Sequence, residues 1–170
     1  MKRKLKSAVN EKDVENVYRA MLLKYAGGEI TSPYGIDGLL VAEDIRTLLE
    51  FKYNENLKDK LCQSSILIQC LYYLKKFEAK GEVLPSTIFV GDLDECFALS
   101  TNSLAKYLLS SINWKLAPSM ASKRNPELLQ AMVDDQNILP FVFNIDAKFK
   151  ITSAIKKIKA LSSNVVVKEK

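Results

Sequence analysis

The sequence predicts an α/β fold, a central mixed β-sheet flanked by helices, and three observations predict it. A helical apolar period over 10–26 gives way to two strand-like segments at 34–41 and 45–53. A long stretch without Gly or Pro follows at 57–79, and after it come two short apolar runs at 87–91 and 95–99. A tight turn returns a strand antiparallel and a long crossover returns it parallel, so helix, hairpin, long helix and further strands imply a sheet of mixed direction.

The first helix carries Val14, Val17, Tyr18, Met21, Leu22 and Tyr25 at steps of three and four residues. Asn10 is placed to cap it, Glu11 and Asp13 suit the positive end of its dipole, and Gly27-Gly28 ends it. Thr31-Ser32-Pro33 breaks the chain, and the polar turn Ala42-Glu43-Asp44 makes 34–41 and 45–53 a β-hairpin. The helix over 57–79 places Leu61, Ile68, Leu71, Tyr72 and Leu74 on a broad apolar face and closes at Gly81. The strands 87–91 and 95–99 flank a turn at Asp92-Leu93-Asp94, and a helix starts near the cap Thr101. Beyond Trp114 the pattern predicts a loop at 117–125, a short helix at 126–135, a strand at 139–145 and a Lys-rich helix at 149–161, with 162–170 frayed.

Composition bounds the chemistry. With 170 residues, 48% of them apolar, the chain can bury the core of a single domain spanning 1–170. It contains no histidine, which removes the Ser-His-Asp triad, the Cys-His pair, His-ligated zinc and the histidine general base. Cys62, Cys70 and Cys96 have no paired spacing and read as buried apolar groups. The basic start Met1-Lys2-Arg3-Lys4 has no apolar run behind it, and no stretch is long enough to span a bilayer, so a cytoplasmic location without membrane contact is expected. A net charge of +5 and a pI near 9.0 suit a polyanionic partner.

The chemistry concentrates in Tyr34-Gly35-Ile36-Asp37-Gly38-Leu39-Leu40 and, after the turn, Leu48-Leu49-Glu50-Phe51-Lys52-Tyr53. In a strand Glu50 and Lys52 share one face while Leu49 and Phe51 turn to the other. A turn between Glu43 and Asp44 sets Asp37 opposite Glu50 on that same face. Two carboxylates so placed repel unless a cation lies between them, and a divalent ion with oxygen ligands would be that cation. Lys52 would then orient an attacking water or stabilise charge developing on phosphorus. Gly35 and Gly38, bracketing Asp37, would let a nucleic-acid backbone approach.

These segments resemble the PD-(D/E)XK nuclease superfamily, the restriction-endonuclease-like fold, over roughly residues 11–100. Within it the chain looks most like the nuclease domains at the N-termini of type I or type IIG restriction-modification polypeptides, and it is similar also to RecB-type nucleases. The resemblance implies a magnesium-dependent DNA endonuclease, with manganese as a substitute ion. Asp37 and Glu50 would hold the metal, the Phe51 carbonyl would complete its shell, Lys52 would serve the nucleophile, and Glu15 would be the supporting helical acid. Gln69 and Tyr73 match a Gln-x-x-x-Tyr feature that would meet DNA or brace the site. Ile36 stands where the superfamily's name has proline. DNA is the implied partner, with methyltransferase, helicase or specificity subunits or domains alongside it, and the pairing of two sites by which restriction nucleases cut two strands leaves a homodimer open. A recombination or repair nuclease of the same fold, and a catalytically inactive DNA-binding or assembly module, remain the alternatives.

An acid two residues before a lysine also occurs at Glu78-Ala79-Lys80 and Asp146-Ala147-Lys148, so the tripeptide alone carries little. Glu50-Phe51-Lys52 is separated from these by the Gly-x-Asp-Gly partner segment, and its bland reading is a solvated hairpin face. Glu15 shares its helix start with Glu11 and Asp13, where the dipole favours acids anyway. Gln69 with Tyr73, the lysines of 58–80 and the Lys156-Lys157-Ile158-Lys159 cluster each have a solvated helix face as the ordinary alternative, and Trp114 reads as packing.

Overall fold

The computed structural model describes the backbone of residues 1–169 and the side chains of residues 1–163. A short helix, α1 (Lys2–Leu5), precedes α2 (Glu11–Ala26), whose cap is reciprocal. Asn10 Oδ1 accepts from the Asp13 N–H at 2.8 Å while Asp13 Oδ2 accepts from the Val9 N–H at 2.9 Å, satisfying donors that a helix start leaves free. Three strands follow as an antiparallel meander, β1 (Glu29–Thr31), β2 (Gly38–Ala42) and β3 (Ile45–Phe51). The crossover helix α3 (Lys60–Ala79) then returns the chain to β4 (Thr87–Gly91), which pairs parallel with β3. β5 (Glu95–Ser100) and β6 (Phe141–Asn144) extend the sheet antiparallel, giving six strands in the order β1-β2-β3-β4-β5-β6. Between them lie a 3₁₀ segment at Thr101–Leu109, α4 (Ala121–Arg124) and α5 (Pro126–Asp134), and α6 (Ile151–Glu169) closes the described chain. The architecture is an α/β fold with a mixed sheet flanked by helices.

Strand alternation splits the core into two layers. Leu48, Ile88, Val90, Phe97 and Leu99 face α3, α4 and α5, where they meet Leu67, Leu71, Leu74 and Phe77. Leu40, Leu49, Phe51, Phe89 and Ala98 face the other way, onto Val14, Tyr18 and Leu22 of α2 and Ile151, Ala154, Ile155 and Ile158 of α6. The buried hydroxyls of Thr47 and Thr87 satisfy one another at 2.8 Å across the parallel pair.

Several boundaries differ from the sequence expectation, each for a local reason. β2 starts at Gly38 rather than at 34, because Pro33–Gly35 forms a 3₁₀ turn in which Tyr34 (φ 59) and Gly35 (φ 74) are both left-handed. β3 ends at Phe51, and 52–59 is a loop that delivers Asp59, whose carboxylate caps α3 at the Cys62 N–H. β1 is a strand of three residues, too short for its alternation to register. Ser100 rather than Thr101 caps the following segment, and the stretch expected as loop at 117–125 contains a 3₁₀ turn and α4. α6 runs past Leu161: Ser162 is buried, its hydroxyl bonded to the Ile158 carbonyl at 3.0 Å and to Ser86 Oγ at 3.2 Å. For 164–170 the expected fraying lies outside the residues whose side chains are described.

Trp114 packs on Tyr72 with ring centroids 5.0 Å apart, and Cys70 and Cys96 are fully buried, while Cys62 is half-buried. Two of the helix-face lysines are fastened rather than solvated, Lys60 by the Asp135 and Ile138 carbonyls and Lys75 by the Leu108 carbonyl. Among the described residues no helix is long and apolar enough to cross a membrane.

Candidate metal centre

The site forms where the C-terminal end of β3 meets the start of α2 and the middle of α3. Register in the β2–β3 hairpin runs from Ala42 opposite Ile45 to Gly38 opposite Leu49, the register that the Glu43-Asp44 turn dictates. Asp37 lies one residue beyond the last pair. Its Oδ2 accepts from the Phe51 N–H at 2.8 Å, so the carboxylate takes the place of a ladder partner and is tied to the end of β3. Arg19 of α2 donates to the Asp37 carbonyl at 2.6 Å and fixes the other side of this residue.

Glu50 points to the α3 face and is 1% exposed. Its Oε1 lies 3.6 Å from Lys52 Nζ, and its Oε2 is buried with no hydrogen-bond partner. Burial, and after it the charge of Asp37, push the Glu50 carboxyl up to about 9, against the pull of Lys52. The position is therefore not the solvated hairpin face of the ordinary reading. Lys52 Nζ donates to Gln69 Oε1 at 2.8 Å, and Gln69 Nε2 lies 3.4 Å from the Tyr73 hydroxyl, a chain of contacts from β3 into α3. Burial works against the Lys52 charge, but Glu50, Glu11 and Glu55 outweigh it and hold its pKa above the ordinary value. Burial first, then the Glu50 carboxylate, push the Tyr73 phenol up to about 12 and raise the neighbouring Cys70 thiol.

The third carboxylate is Glu11. One oxygen each from Glu11, Asp37 and Glu50 lie within 4.8 Å of one another. Desolvation raises the Glu11 carboxyl, Lys52 opposes the rise, and Asp37, Glu55 and Glu15 add to it. Glu15, the helical acid expected from the resemblance, is not in this group: its carboxylate is bound by Lys12 at 2.6 Å. Glu15 lies four residues further along α2, about 6 Å up the axis, whereas Glu11 in the first turn reaches Asp37 and Glu50. The Phe51 ring is buried and stacked on Tyr18 at 5.5 Å, leaving only backbone of this residue for the site.

The expected role of the glycines changes. A Cβ on Gly38 would stand 3.0 Å from Ile30, 3.1 Å from Leu49 and 3.4 Å from Arg19, so the missing side chain makes room for packing and for the arginine that holds Asp37. No approaching backbone is needed to explain it. Gly35 serves the left-handed turn ahead of Asp37. The other two acid-x-lysine tripeptides stay apart from any such group: Glu78 pairs with Lys75 on α3, and Asp146 accepts from the Lys148 N–H in the turn before α6.

Three clustered carboxylates, one of them with a buried unpartnered oxygen, offer a hard, all-oxygen ligand set that could hold a metal ion, with the Lys52 ammonium beside it. A cleft of about 230 Å³ adjoins it, with Lys52 and Gln69 in its wall. The larger cleft of about 620 Å³ lies at the opposite end of β3, beside the β2–β3 turn and α6, far from the carboxylates. Comparisons with models of protein families, with curated proteins and with solved structures found no match.

Proposed function

We propose that this chain is a magnesium-dependent DNA nuclease of restriction-endonuclease-like fold, the cleavage module of a DNA-defence system, working with recognition or motor subunits. The observation that carries the reading is the convergence of Glu11, Asp37 and Glu50 within 4.8 Å around a buried carboxylate oxygen that has no partner. An unsatisfied buried carboxylate costs stability, and a cation is what would satisfy it. The order α2, meander, α3, β4 agrees with the order the resemblance implies, which supports the fold assignment.

Asp37, Glu50 and Glu11 would hold the ion, together with the Phe51 carbonyl that the resemblance adds. An ion held by these residues would supply a Lewis acid able to polarise a phosphodiester and lower the pKa of a water. Asp37 is preset for the task by the Phe51 N–H and by Arg19 on its own carbonyl. Lys52, held by Gln69, directs its charge to the attacking water or to the negative charge that grows on phosphorus.

The test is nicking and cleavage of supercoiled plasmid by the full chain in magnesium, in manganese and in EDTA, beside Asp37→Ala and Lys52→Ala. Cutting in either metal and not in EDTA is expected, with a loss of at least about a hundredfold in each variant. Cutting that survives both substitutions overturns the site. No cutting by the wild type, with DNA binding that ignores metal, converts the chain to a binding module.

A further inference from the structure

The cleft beside the carboxylates is lined by donors. Lys52 and Gln69 belong both to it and to the site, and across from α3 its wall is Ser119, Ser122 and Lys123. Ser65 Oγ and Ser122 Oγ bond at 2.8 Å, and because each hydroxyl owns one proton, the pair retains one to donate. Ser119 and Lys123 are exposed at the opening. The wall is also fastened to α3: Asn125 Nδ2 donates to the Tyr72 hydroxyl at 2.9 Å and to the Ala121 carbonyl at 2.8 Å, and the Tyr72 hydroxyl donates to the Asn113 carbonyl at 2.6 Å. The backbone that carries these donors is therefore anchored to α3, and the Ser122 hydroxyl is held by Ser65. At about 230 Å³ the cleft has the liquid volume of roughly eight waters, room for one phosphate and its sugar.

We infer that this cleft binds the backbone phosphate next to the one at the carboxylates, on the same nucleic-acid strand, through Lys123, Ser119 and Ser122. The inference rests on the nuclease reading for which strand lies there. Hydroxyls and ammonium groups are the side chains that position phosphates without reading bases. Glu55 is the acid in the lining, and its charge opposes the bound phosphate. The geometry thus sets two opposite signs on one surface: removing the lysine weakens the strand, and neutralising the glutamate tightens it.

The experiment is fluorescence anisotropy of a labelled single-stranded dodecamer with the full chain in EDTA. Compared are the wild type, Lys123→Glu, the neutral double variant Ser119→Ala/Ser122→Ala, Glu55→Gln, and Lys156→Glu on exposed α6 as a control of equal charge change. The expected changes are about tenfold weaker for Lys123→Glu, about threefold weaker for the serine pair, about threefold tighter for Glu55→Gln, and less than about twofold for the control. Equal weakening by Lys123→Glu and Lys156→Glu would reduce the effect to the overall field and overturn the cleft; an unaffected serine pair would do the same. Plasmid cutting separates the two claims. If the wild type does not cut in magnesium but the binding pattern holds, the cleft stands and the hydrolytic reading falls. If it cuts and Lys123→Glu binds normally, the cleft falls and hydrolysis stands.

Discussion

Two carboxylates at neighbouring strand ends, Glu50 on β3 and Asp92 just after β4, are each 1% exposed, yet they are built in opposite ways. Asp92 is satisfied by backbone. Its Oδ1 accepts from the Asn54 N–H at 2.7 Å and the Leu93 N–H at 2.6 Å, its Oδ2 accepts from the Glu55 N–H at 2.7 Å, and its carbonyl accepts from the Tyr18 hydroxyl at 2.6 Å. Glu50 has one oxygen 3.6 Å from Lys52 and one without a donor, facing the Asp37 carboxylate instead. A buried carboxylate with its donors in place stabilises the fold that supplies them, whereas one without them stores a cost that a cation can release. The first holds the loop after Lys52 against the β4–β5 turn, and the second is the centre of the proposed site.

Removing each acid should therefore move stability in opposite directions. The larger effect belongs to Asp92→Ala, which leaves the Asn54 and Glu55 N–H groups without their acceptor. A loss of about 3–5 kcal/mol is expected in urea unfolding. A loss under about 1 kcal/mol would mean that water replaces the carboxylate and that the clamp is decorative. Glu50→Gln should instead raise stability, by about 1–3 kcal/mol at pH 8 in EDTA, because at that pH the acid must take up a proton on folding and the amide need not. If this variant unfolds more easily than the wild type, the stored-cost argument is wrong.

The pH dependence sharpens the same contrast. A carboxyl raised from 4.5 to about 9 binds its proton more tightly in the folded protein than in the unfolded chain. Its contribution is therefore fully present below the unfolded pKa and is lost as pH rises toward about 9. The wild type without metal should lose stability through this window, and Glu50→Gln should flatten the decline. Magnesium should restore the wild type at pH 8 through mass action and do little for the variant. Parallel pH profiles for the two proteins, measured as Tm, would remove Glu50 as the titrating group.

Much of the site was legible because it rests on short-range periodicity. The period of two put Glu50 and Lys52 on one face, the Glu43-Asp44 turn fixed the hairpin register, and the i, i+4 step placed Gln69 beside Tyr73. What the sequence hid depends on docking between elements. Burial of Glu50 follows from α3 lying over the β3 face, and nothing in Leu49-Glu50-Phe51 signals it. The ends of β2 and β3 shifted because Tyr34 and Asn54 adopt left-handed conformations on either side of the site, a signal that Asn54 carries in its residue type and Tyr34 does not. Asp92 was read only as a turn residue, since its three backbone donors come from the turn and from a loop nearly forty residues earlier.

Glu11 is the instructive omission, and it yields the smallest predicted effect. Acids in a first helical turn are favoured by the dipole whether or not they do anything else, so Glu11, Asp13 and Glu15 are equivalent in sequence. Their partners separate them: Asp13 completes the cap, Glu15 is bound by Lys12, and Glu11 faces Asp37 and Glu50. Glu11→Gln should weaken magnesium binding in titration calorimetry by about three- to tenfold, the loss of one supporting carboxylate of several. Glu15→Gln should stay within about twofold, because Glu15 lies outside the carboxylate group and is paired with Lys12. The reverse result would assign the supporting role to Glu15 and require α2 to advance by about one turn when the ion binds. That movement would break the Arg19 bond to the Asp37 carbonyl and the Tyr18 bond to the Asp92 carbonyl together, and the simpler arrangement keeps both.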